Sequence, residues 1–231
     1  MRFHGALIAA CYSGLMIDSE IGAPSRAIRA EAQPRRWLLG GAIGNNRLTS
    51  ILGVILLIGL AVEGATIPSI HQLLSVHVFV GMLLLGPLAL KLASTGYRFV
   101  RYYTGGVEYM RLGPPVPLMR FLVAPVLVLS TLTLFGSGVT LLIVAHRGAV
   151  LGLHKASFVA WFGAMTIHVL AATARAARHT LADLSGRVPG GNRLRLLVAV
   201  LAIVAGIAIA VAAYPLAHPW FHYQWFDGHG G

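Results

Sequence analysis

The feature that most constrains this chain is its punctuation: long apolar runs, each of membrane-spanning length, separated by short arginine-bearing connections. A run of about twenty apolar residues spans a hydrocarbon core about 30 Å thick as an α-helix. In lipid only helices and closed barrels satisfy their own backbone groups, and runs of this length and composition are helical. With 57% hydrophobic and only 11% charged residues in 231, the sequence specifies an integral membrane protein with several spans and excludes a soluble domain.

Five spans are predicted, at about 48–67, 73–95, 119–145, 153–174 and 194–216. The formal charge of +11 would suggest a nucleic-acid binder, but the basic residues fall between the apolar runs, where they act as topology signals and headgroup contacts. Nucleic acid is therefore not an expected partner. Residues 1–47 open with a short apolar run, 5–17, and continue as an arm with Arg26, Arg29, Arg35, Arg36 and Arg47. The run is too short for a confident span and lacks a convincing cleavage site, so the segment reads as a cytoplasmic arm. With that arm inside, the loop holding Arg98, Arg101 and Arg111 and the loop 179–193 also fall inside, and the tail 217–231 falls outside. The arginine-rich loops fit a bacterial inner membrane.

One cysteine, Cys11, excludes an internal disulfide, covalent c-type haem attachment through a Cys-x-x-Cys-His motif, and an iron–sulfur cluster held by this chain alone. Metal chemistry must then rest mainly on histidine. The fourth span carries His154 and His168, fourteen residues apart. Fourteen steps return an α-helix to within roughly 40° of its starting direction and advance it roughly 21 Å, so both imidazoles share a face, one near each leaflet. An imidazole in hydrocarbon must bond, ligate or line water. The second span repeats the period: fourteen residues beyond His77 stands Lys91. Spans two and four run in the same direction, so His77 and His154 share the outer leaflet, and Lys91 and His168 the inner one.

On these residues the chain resembles the four-helix b-type cytochromes, the group that includes quinol-oxidising cytochrome b, the cytochrome subunits of hydrogenases and formate dehydrogenases, and related bacterial di-haem proteins. The resemblance covers about 48–178 and implies an all-α, four-helix cytochrome b-like bundle, here with a fifth transmembrane helix at 194–216. In cytochrome b, two helices each carry a histidine pair that clamps one haem near each membrane face. His77, His154 and His168 match that pattern, and Lys91 departs from it at the fourth ligand position. The resemblance thus implies an outer haem b with His77 and His154 as axial ligands, a bis-imidazole arrangement suited to electron transfer. An inner haem at His168 is put in doubt. It also implies exchange of electrons between a quinone pool and a redox protein partner.

Each residue has a plainer reading. His154 also suits a wet helix end, and His168 an interhelical hydrogen bond. Lys91 is read first as a side chain reaching towards the headgroups, with pairing to a propionate or iron ligation as the alternative. Gly81, one turn past His77, would admit a porphyrin edge or serve close helix packing. Glu63, near the outer end of the first span, is either an interfacial carboxylate or the proton acceptor of a quinone site. In the tail, one helical turn would align His218 and His222 for copper or zinc, with His229 following, but Pro219 argues against a regular helix, and Trp220, Phe221, Tyr223, Trp225 and Phe226 suit an interfacial belt or a partner surface. The competing functions are a non-redox membrane scaffold or assembly partner, and a proton-linked transporter working through Glu63, Lys91 and His168.

Overall fold

The computed structural model describes residues 41–111, 117, 119–144, 148–185 and 192–221. The N-terminal arm up to residue 40, His146, Arg147 and the tail histidines His222 and His229 lie outside the described residues. All regular structure among the described residues is helical. The helices are α1 (Gly41–Thr66), α2 (Ile70–Tyr103), the short α3 (Val107–Arg111), α4 (Ala124–Val144), α5 (Gly148–Leu184), α6 (Asn192–Ala213) and a last turn, α7 (His218–Phe221).

Four stretches are long and apolar enough to cross a membrane: Gly41–Tyr103, Arg120–Val144, Gly148–Thr173 and Asn192–Phe221. The first, 63 residues long, is α1 and α2 joined by a single 3-10 turn, Ile67–Ser69. The chain reverses there because Pro68 withholds a backbone donor, and Ser69 and Leu73 leave helical dihedrals. Hydrogen bonds from Asn45 Nδ2 to the Ser94 carbonyl (3.1 Å) and from Lys91 Nζ to the Thr49 carbonyl (3.0 Å) show that the two helices run antiparallel. The sequence points to Pro87 as the kink of the second span; the departure from helical dihedrals falls at Leu73 instead.

Pro87 nevertheless has a packing consequence. Lacking an N–H, it leaves the Leu83 carbonyl without its helical donor. Gly206 of α6 comes against that carbonyl so closely that a Cβ there would collide with it, and Gly86 meets the Ala202 carbonyl in the same way. The buried stripe of α6, Ala199, Ala202, Gly206, Ala210 and Ala213, is what allows this approach. Small residues let helix backbones touch in lipid, where no hydrophobic driving force separates helix from solvent.

The other extensively packed pairs are α4 with α5, α1 with α2 and α1 with α5, and α1 also meets α6 where Leu48, Ile51 and Leu52 pack with Ala199. Among the described residues α2 and α5 are flanked by α1 and are not packed directly on one another. Ile58, Val159, Phe162 and Leu170 stand exposed on the outside of these helices, as lipid-facing residues must.

One end of the bundle is closed by polar bonds. Asp183 of α5, fully buried, accepts two hydrogen bonds from Arg195 of α6, each 2.9 Å, and a third from Arg47 of α1 at 3.2 Å. By the positive-inside pattern Arg195, at the start of the fifth apolar run, reads as an inner loop charge; it is 1% exposed, because Asp183 supplies the paired fork that a buried guanidinium requires. Helix α5 continues past the membrane-length part to Leu184 to deliver that carboxylate. At the opposite end Trp220 turns inward, 8% exposed, and donates to the Leu141 carbonyl at 3.1 Å. It is therefore a core residue and no part of an interfacial belt.

Candidate functional site

His77 lies near the start of α2, just past the turn from α1, and that turn holds it. Thr66 at the end of α1 donates its hydroxyl proton to the Glu63 carbonyl at 2.6 Å. Its oxygen can then only accept from His77 Nδ1, 2.9 Å away. Glu63 Oε1 stands 3.1 Å from the same nitrogen. The proton of His77 is thereby fixed on Nδ1, and Nε2 carries the free lone pair.

The same logic, with different residues, applies to His154. Its Nδ1 lies 3.0 Å from the Leu134 carbonyl of α4, an acceptor only, and 3.1 Å from Ser137 Oγ, which itself donates to the Leu134 carbonyl at 3.0 Å. Nδ1 must again be the donor. Gly138 makes the approach possible: a Cβ there would sit 3.3 Å from His154 Cε1. His77 and His154 are close enough to interact electrostatically.

Two helices that do not pack on each other thus present two imidazoles, each tied down through Nδ1 and each with Nε2 outside any hydrogen bond among the described residues. Histidines that ligate metals are oriented in this way, the second nitrogen donating to a carboxylate or a carbonyl. A haem iron, already held by four porphyrin nitrogens, needs two such ligands and no more. The donor set at this end fits that group. Among the described residues no three His, Cys, Asp or Glu side chains gather to hold a bare metal ion.

Glu63 is part of this arrangement, bonded to His77, and its second oxygen is buried without a hydrogen-bond partner among the described residues. Gly81 faces it: a Cβ at Gly81 would lie 3.1 Å from Glu63 Oε1, so the missing side chain makes room for the carboxylate.

The second pair is built otherwise. Lys91 Nζ is bonded to the Thr49 carbonyl of α1 and nestles at Gly53, where a Cβ would stand 3.1 Å from it. His168 lies within electrostatic reach of Lys91 and has no hydrogen bond among the described residues. Neither ring nitrogen of His168 is tied down. Between the two pairs, on the face of α5 shared by His154 and His168, stands Trp161, 6% exposed, with its indole N–H buried and unbonded among the described residues.

Thr66, Ser137, the Leu134 carbonyl, Gly138 and Trp161 escaped the sequence reading. Only Trp161 left a signal there, at seven residues from each histidine of α5. The chain matches no family model, no curated protein and no solved structure.

Proposed function

We propose that this chain is a membrane b-type cytochrome, carrying electrons between the quinone pool and a redox protein partner through one haem b held by His77 and His154. The observation that supports this reading is the matched tethering of the two imidazoles through Nδ1, which leaves Nε2 of each outside any hydrogen bond among the described residues. In this reading α1 and α2 are separate crossings, the chain crosses five times, and the His77 end faces outward from a bacterial inner membrane with the N-terminus inside.

Haem, held by His77 and His154, would supply one-electron exchange. The protein's part is orientation and tuning. Thr66 and the Leu134 carbonyl keep each ring in the tautomer that a ligand needs, and the Glu63 carboxylate, accepting the Nδ1 proton, makes His77 the more electron-rich of the two.

The test is the difference spectrum of dithionite-reduced minus oxidised protein purified in mild detergent, with pyridine haemochrome quantification. The expected result is a b-type signal and one haem per chain. A folded preparation made with ample haem supply that contains none would end the cytochrome reading. The Nδ1 bonds would then be helix-to-helix fastenings, and the protein a non-redox scaffold.

A further inference from the structure

Three donors in the bundle interior are not spent by the fold. Lys91 has three N–H groups and uses one on the Thr49 carbonyl. His168 uses none among the described residues, and the Trp161 N–H is buried without a partner there. Unpaired polar groups at membrane depth are costly, and ionisable ones mark ligand or ion pathways. The missing partner must bring acceptor oxygens, and it must be soluble in lipid.

The spacing narrows it further. Trp161 and His168 are seven residues apart on one face of α5, a rise of about 10.5 Å. A 1,4-quinone carries two carbonyl oxygens about 5 Å apart on opposite sides of its ring, and a hydrogen bond of about 2.9 Å at each end extends this to about 11 Å from donor to donor. A carboxylate or a phosphate gathers its oxygens at one point and would leave one end unmet.

The geometry points to a quinone site between α2 and α5, with one carbonyl held by Lys91 and His168 and the other by the Trp161 indole. The site lies on the same α5 face as His154, deeper in the bundle. Its use in electron transfer rests on the cytochrome reading; the binding of the ring does not. The lysine that breaks the histidine pattern is here the feature that fits the ligand, since its free N–H groups serve a carbonyl oxygen directly.

The experiment is binding of a short-tailed ubiquinone analogue and a short-tailed menaquinone analogue to the full chain in detergent, with haem per chain measured on the same samples. Saturable binding near one per chain is expected. Lys91→Gln and His168→Leu should each weaken it about tenfold or more without lowering haem content. Trp161→Phe keeps the bulk and should weaken it several-fold; it serves should either polar variant fail to fold. His77→Leu should remove haem and leave quinone affinity unchanged. Haem-replete protein without saturable quinone binding would overturn the site and leave the cytochrome reading standing. Two haems in the wild type and one in His168→Leu would also overturn it, by giving the pair to a second haem. Quinone binding that depends on Lys91 and His168 in a haem-free protein would support the site and end the cytochrome reading.

Discussion

The two pairs that α2 and α5 carry at equal spacing differ in how they are held. His77 and His154 each have one nitrogen committed to a fixed acceptor, supplied by the helix next door. Lys91 is fastened through one of its donors, and His168 is not fastened at all among the described residues. Fixing a ring nitrogen serves a permanent ligand, because the lone pair then always points at the same place. Leaving donors loose serves a ligand that comes and goes, since each arrival must find partners and each departure must release them. On the two readings proposed above, one helical period would place two kinds of chemistry at two depths.

The largest test of that contrast is to remove the fixed ligands. His77→Leu or His154→Leu should abolish haem retention, read as loss of the haemochrome, whereas His168→Leu should leave it at the wild-type level. Equal loss from all three would break the contrast, because it would make His168 a ligand of the same standing.

The next effect is on the fold behind the loose pair. Asp183→Asn strips two guanidinium groups, one of them fully buried, of their counter-charge. Breaking a buried pair costs about 3–5 kcal/mol, far more than the pair itself contributes. Thermal unfolding in detergent should show the loss as a marked drop in Tm. Replacing both partners together, Asp183→Leu with Arg195→Met, should recover much of it, because neither buried charge is then orphaned. If the variant with Asn melted like the wild type, the cluster would not be what closes this end of the bundle.

A smaller effect should appear in the potential. On the cytochrome reading, an ionised Glu63 carboxylate would stabilise the oxidised, more positive iron through His77, so Glu63→Gln should raise the midpoint by about 30–60 mV, a three- to tenfold shift in the one-electron equilibrium. Redox titration of the haem band gives the value. An unchanged midpoint would mean that the carboxylate is not coupled to the ligand.

How much of this was legible beforehand follows from which groups leave a pattern. Membrane-length runs are the strongest signal a sequence carries, and they marked the four stretches that are long and apolar enough to cross a membrane. The shared depth of His77 and His154 was readable from helical geometry, as was Glu63 at the same level. Their tethers were not: Leu134 acts through a backbone carbonyl, which every residue has, and Thr66 and Ser137 are ordinary hydroxyls of helix interiors. Arg195 was read by its place beside a loop, where arginine is normally a topology signal. Its burial depends on Asp183, twelve residues away across a turn that periodicity does not describe. Pro219 suggested an irregular tail, yet a helical turn forms at His218–Phe221, because a proline at the start of a helix forfeits no internal hydrogen bond.

The finest test uses two glycines. Gly81 faces the Glu63 carboxylate and Gly53 faces the Lys91 ammonium, and at each a Cβ would stand 3.1 Å from the charged head. That is tight, but the neighbour in both cases is the tip of a side chain, which can yield at little cost. Alanine also favours the helix over glycine by up to about 1 kcal/mol, so neither Gly81→Ala nor Gly53→Ala should destabilise the protein. What should change is where each head rests. Gly81→Ala should ease the carboxylate from His77 and raise the midpoint by about 10–20 mV, in the direction of Glu63→Gln but smaller. Gly53→Ala should displace the ammonium and alter quinone affinity by about two- to threefold, leaving the potential where it was. If each substitution moved both readouts, the fixed and the loose pair would have to be treated as one coupled site.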